Sequence, residues 1–168
     1  SSQPICDGIR RLVDEGKCKA IGLSDVSLGH AQEIFEAGRI KPAVVHVESH
    51  PYLPQWDLLD YCRKNGIVLQ AFAALGHSSE PKLLEDPVIT AIAKRVNKTP
   101  AQVLLAWAIQ RGTALLNTSK TLSRIKENFE VSTLPQDAMR EISDGITLRI
   151  RFNAVVETGV PGFIPREK

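Results

Sequence analysis

His46 and Glu48 stand two residues apart in Pro42-Ala-Val-Val-His-Val-Glu48, a segment whose apolar residues read as a short strand. Side chains two apart on a strand share a face, so an imidazole and a carboxylate could act there together as acid and base. No nucleophile, base and orienting group accompany them, and a lone histidine on a buried strand is more often a core residue satisfied by one local hydrogen bond. The stretch Ala73 to Glu85, with Gly76, two serines and Pro81, has the look of a loop covering an active site or a cofactor. Cys6, Cys18 and Cys62 are widely scattered and lack CxxC spacing, so they read as free thiols, with neither a zinc site nor a disulfide framework.

The elements that must position these residues alternate. Ile5 to Glu15 carries Ile5, Ile9, Leu12 and Val13 at helical spacing and stops at Gly16. Lys19 to Ser24 reads as a strand, and Ser27 as the N-cap of a helix through Ala37. Pro42 to Glu48 is a second strand, Gln55 to Lys64 a helix closed by Asn65-Gly66, and Ile67 to Phe72 a third strand. Asp86-Pro87 and Thr99-Pro100 each pair a capping residue with proline at the first helical position. The second of these helices runs to Arg111 and leads into a strand over Ala114 to Asn117, after which Leu122 to Phe129 and Gln136 to Ser143 read as helices. The first three strands begin about 24 residues apart, close to the repeat of a parallel βα unit. The tail, Thr147 to Lys168, has no period, but Phe152, Val155, Val156, Val160, Phe163 and Ile164 suggest that it packs on something.

Composition narrows the class. With 21 Lys and Arg against 19 Asp and Glu in 168 residues, the net charge of +2 argues against a nucleic-acid partner. No apolar run approaches the roughly 18 residues of a membrane span, and Ser1 to Arg11 lacks a signal-peptide core, so the default location is cytoplasmic. Hydrophobic residues make up 43% but aromatics only 5%, which favours aliphatic strands in an α/β protein.

Leu12-Val-Asp-Glu-Gly16, Ala20-Ile-Gly-Leu-Ser24, Lys41-Pro-Ala-Val44, Glu48-Ser-His-Pro-Tyr52, Tyr61-Cys-Arg-Lys-Asn-Gly-Ile67, Leu84-Glu-Asp-Pro87 and Arg124-Ile-Lys-Glu-Asn-Phe129 together resemble the aldo-keto reductases. That family consists of NAD(P)H-dependent enzymes on a (β/α)8 TIM barrel. The resemblance is expected to cover the C-terminal half of the family barrel, strands five to eight plus the C-terminal loop. It implies four parallel βα units forming about half of a barrel over 1–146, with a leading helix, and an irregular extension over 147–168. The family's Asp, Tyr, Lys and His tetrad would then have no counterpart here, leaving no catalytic residue to assign.

What the resemblance does imply is a nicotinamide nucleotide site, with NADP(H) the expected cofactor and NAD(H) the alternative. Ser24 matches a family serine that holds the carboxamide, and Asp25 stands where the family has asparagine. An ionised Asp25 can accept a hydrogen bond but not donate one. His46 replaces a glutamine that touches the same group, and His50 matches a largely structural histidine in the turn. Phe72 takes the place of a tyrosine that stacks on nicotinamide, a role that needs only the ring face. Ala73-Ala-Leu75-Gly76 resembles the pyrophosphate loop, where small residues permit close approach. Ser119, Arg124, Glu127 and Asn128 align with contacts to adenosine and its 2′-phosphate. The family lysine beside Ser119 is Thr118, with Lys120 further on. Arg124 can fork onto a phosphate by itself, although Arg124 and Glu127 also fit a merely solvated helix face.

Two functions follow: the nucleotide-binding part of a carbonyl reductase, inactive alone, or a non-enzymatic self-associating module with a drifted site. A third, weaker reading gives a dimer a new site using His46 or Glu48. Open strand edges and an open sheet face are aggregation hazards, so a homodimer or a covering tail is expected.

Overall fold

Val45, Val47, Leu69 and Ala71 alternate with His46, Glu48, Gln70 and Phe72, so each strand has one face for an apolar layer and one left over. The computed structural model describes residues 3–77 and 79–153 and pairs these strands in parallel. In chain order the elements are α1 (Gln3–Asp14), β1 (Gly22–Ser24), α2 (Leu28–Ala37), β2 (Val44–Glu48), α3 (Trp56–Lys64) and β3 (Val68–Phe72). A 3-10 turn at Leu83–Glu85 leads to α4 (Pro87–Arg95), α5 (Pro100–Gln110), β4 (Ala114–Leu115), α6 (Leu122–Phe129) and α7 (Gln136–Gly145). The sheet order is β1-β2-β3-β4. Parallel neighbours joined by helices are the βα units of a barrel wall, and four of them make a partial TIM barrel of the α/β class.

Register fixes which residues meet. Ser24, His46, Gln70 and Ala114 form one row across all four strands, and Glu48 pairs with Phe72 one step nearer the carboxyl ends. The opposite face is covered: Val45, Val47 and Leu69 pack with Ala31 of α2 and Leu58, Leu59 and Cys62 of α3. Burial pushes the Cys62 thiol up to about 11, and Cys18 and Cys62 are both free. A second core joins Ile89, Ile92 and Ala93 of α4 to Val103, Leu104 and Trp107 of α5 and Ala138 and Ile142 of α7. Arg111 bridges the two cores, its guanidinium 4.2 Å from the Trp56 ring and 4.5 Å from the Trp107 ring. Burial lowers its pKa to about 9, with Arg63 adding to the effect.

The helix starts read from the sequence are formed as expected. Ser27 accepts from the His30 amide, and the Asp86 carboxylate accepts from the amides of Val88 and Ile89. Thr99 and Gln102 make a reciprocal capping box around Pro100 at the first helical position. The strands are shorter than expected. Lys19 to Ile21 precede β1 because regular pairing with β2 begins at Gly22 and Val44, and β4 ends at Leu115 instead of Asn117 because its regular pairing with β3 stops at Ala71, one residue short of the end of β3. In the tail, Ile150 and Phe152 pack against the second core. Val155, Val156, Val160, Phe163 and Ile164 lie outside the described residues.

Ile92 is fully buried whereas Ile109, on α5, is half exposed. Ile92→Ala should therefore cost about 2–5 kcal/mol and Ile109→Ala under about 1 kcal/mol, read as midpoint shifts in urea melts.

Candidate functional site

At the carboxyl end of β1 the chain turns through Asp25, which takes a left-handed conformation (φ 51°) and gives its amide to the His46 carbonyl at 2.9 Å. Asp25 thereby sits beside the end of β2. Its Oδ1 and the Nε2 of His46 are both buried with no hydrogen-bond partner among the described residues. Orphaned buried polar atoms are costly, about 1–3 kcal/mol each, and two at one place fit a ligand that supplies the missing donor and acceptor. Burial raises the Asp25 pKa and Glu48 adds to this, while Arg151 and His46 oppose it. The Phe72 ring packs edge-on against His46 with centroids 5.0 Å apart. Ser24 belongs to the same row as His46, so four of the residues expected at the nicotinamide end do come together.

The other expected residues gather in one cavity. A space of about 760 Å³ is lined by Ala73 and Leu75 after β3, Ser119 after β4, and Arg124, Glu127 and Asn128 of α6. Ala73, like Asp25, has positive φ (54°), and a Cβ at Gly76 (φ +84°) would come within 2.8 Å of the Leu83 side chain. The turn therefore depends on glycine. Glu127 is not simply solvated: Thr99 donates its hydroxyl to the Glu127 carboxylate at 2.5 Å, tying the α5 cap to α6. Thr118, Lys120 and His77 also line this cavity.

Sequence reasoning missed how Glu48 is used. It is fully buried, and its carboxylate accepts from His50 Nε2 at 2.8 Å, the Phe152 amide at 2.6 Å and the Asn153 amide at 2.8 Å. Those donors fill the carboxylate, so it is no free acid or base beside His46. His50 is buried in the turn after β2, as expected, and bridges backbone to backbone with Leu53. Tyr52 donates its hydroxyl to Asp86 at 2.8 Å. No group of three or more His, Cys, Asp or Glu able to hold a metal exists among the described residues.

Parallel βα units with a polar cluster and a large cavity at the strands' carboxyl ends define a barrel-type α/β chain. The aldo/keto reductase family model matches residues 2–146, and the chain belongs to that family. It is 37% identical over 166 residues to the NADPH-dependent D-xylose reductase of Meyerozyma guilliermondii, covering 89% of this chain and 52% of that protein. It is 34% identical over 168 residues to aldo-keto reductase family 1 member A1 of Sus scrofa, covering 95% of this chain and 51% of the other. Aldehyde reductase YPR1 of Saccharomyces cerevisiae is 37% identical over 138 residues, covering 81% and 44%. The chain spans about half the length of the curated relatives it matches. One expectation is corrected by these matches. The family match falls on the N-terminal 2–146 stretch of this chain and stops before the tail, so the assignment to the C-terminal half of the family barrel with its C-terminal loop is not retained.

Burial alone would raise the Glu48 pKa, but the hydrogen bonds from His50, Phe152 and Asn153 outweigh it and hold the carboxyl below its ordinary range. A lowered folded-state pKa contributes stability that is complete above the unfolded value and disappears as pH falls through the folded one. Wild type should exceed Glu48→Gln by about 1.5–3 kcal/mol near neutral pH, and chemical denaturation should show that gap closing below about pH 4.

Proposed function

We propose that this chain binds NADP(H) along the carboxyl ends of its strands, as the nucleotide-binding part of an enzyme that reduces a carbonyl by hydride transfer. The observation that carries the reading is the gathering of Ala73, Leu75, Ser119, Arg124, Glu127 and Asn128 around one cavity. The orphaned Asp25 and His46 atoms lie at the adjoining strand ends. Asp25 Oδ1 would accept from the carboxamide nitrogen, His46 Nε2–H would donate to its oxygen, Ser24 would add a hydroxyl, and Phe72 would face the ring. Arg124, with Ser119, would take the 2′-phosphate and so prefer NADP(H) over NAD(H), while Asn128 and Glu127 meet the adenine. The names of the relatives, one NADPH-dependent, support this choice. Residues 1–146 would act as one unit with 147–168 as its extension. The free Cys18 and Cys62 suit a reducing compartment such as the cytoplasm.

The nucleotide would supply the hydride; this chain would bind and orient it. Protonating the carbonyl needs an acid that these residues do not offer. Tyr52 is committed to Asp86, and Tyr61 packs edge-on against Phe35 in the outer layer. We infer that these residues alone are inactive as a reductase. NADPH should quench intrinsic fluorescence saturably, and Arg124→Ala should weaken NADPH about tenfold or more with little effect on NADH. Absence of saturation at several hundred micromolar NADPH would sink the reading.

A second reading, a self-associating module, is favoured by a different observation. Val68 and Leu116 on the sheet face away from α2 and α3 are 50% and 54% exposed, and β1 and β4 are edge strands among the described residues. A homodimer would cover them. Light scattering on a sizing column should give twice the 18.5 kDa chain mass, and a monomer at micromolar concentration would count against it.

A further inference from the structure

Glu48 is held by donors that lie far away in the chain. The amides of Phe152 and Asn153, 104 and 105 residues further on, reach its two carboxylate oxygens. The Ile150 amide donates to the Tyr52 carbonyl at 3.0 Å, so 150–153 runs as a strap along the turn that follows β2. The Phe152 ring lies 4.9 Å from the His50 ring and 6.0 Å from that of Tyr52. It also reaches the turn after β3, where a Cβ on Gly76 would come 3.4 Å from its edge. Between the anchors, Arg151 acts electrostatically on the Asp25 carboxyl.

We propose that Glu48 is a positioning residue for the nucleotide site: its carboxylate latches 150–153 over the carboxyl ends of β2 and β3, setting Phe152 against the Gly76 turn. This rests on the reading of the site as a nucleotide site. The chemistry requires a carboxylate. Three N–H donors converge on two oxygens, and glutamine at this position would present its own N–H to one of them. The strap also matters electrically. Asp25 and Glu48 both bring negative charge to the strand ends, where an anionic dinucleotide would lie, and the positive charge of Arg151 on the strap opposes it by lowering the Asp25 pKa. Releasing the strap loosens the contact of Phe152 with the Gly76 turn.

The latch is tested first without nucleotide, by hydrogen exchange at the Phe152 and Asn153 amides. Glu48→Gln should speed exchange at both by about tenfold or more. Asn153→Pro deletes one of the same bonds from the strap side and should speed exchange at Phe152. NADPH titrations should then show Kd raised about three- to tenfold in both variants. Leu59→Ala, a core substitution, should lower Tm and leave Kd unchanged. Exchange unaltered in both variants overturns the latch. Faster exchange with wild-type NADPH affinity overturns the positioning role. A wild-type chain that binds no NADPH overturns the nucleotide reading itself, and the exchange data still decide whether the latch exists.

Discussion

Alternation along β2 is the constraint on which the rest depends. Val45 and Val47 turn to the helices and are completely or almost completely buried, which commits His46 and Glu48 to the opposite face. A slip of one residue would exchange these sets, putting a carboxylate into the aliphatic layer and two valines at the strand ends. Parallel pairing then carries the same choice to the neighbours, bringing Ser24 level with His46 and Phe72 level with Glu48. The polar cluster at the carboxyl ends is thus a consequence of how the hydrophobic layer is packed.

Glu48 is fully buried and His46 half-buried with its Nε2 atom enclosed, and the two inward-facing polar residues of β2 are treated in opposite ways. Glu48 is saturated by the His50 ring and two backbone amides. His46 Nε2, two residues earlier, is left without a partner among the described residues, as is the neighbouring Asp25 Oδ1. A buried polar group with all its partners supplies structure, whereas the unpartnered atoms of His46 and Asp25 are the ones the proposed nucleotide would satisfy. This contrast separates architecture from recognition within a single strand. It also explains why the acid and base pairing suggested by the spacing of His46 and Glu48 is not formed: the carboxylate is already spent on the strap.

Local chemistry made much of the fold legible. Ser27, Asp86-Pro87 and Thr99-Pro100 mark helix starts because side-chain caps are satisfied within three residues. Strand ends were less legible, since pairing partners rather than composition decide where β1 begins and β4 stops. Among site residues, Ser119, Arg124, Glu127 and Asn128 lie within ten positions, and helical spacing brings the last three to one cavity. The bond from Thr99 to Glu127 and the clasp between Glu48 and 152–153 join residues 28 and more than 100 positions apart, and no pattern along the chain announces them. The motifs identify the family correctly but not the stretch of its barrel: the family match ends at residue 146, whereas the resemblance alone extends into the apolar tail.

The most direct test of the account is a map of backbone amide shifts on titrating NADPH into the full chain. The account predicts a continuous track of shifted resonances from Asp25 and His46 through Ala73 and Leu75 to Ser119, Arg124 and Asn128. Shifts confined elsewhere, or absent at saturating nucleotide, would contradict it.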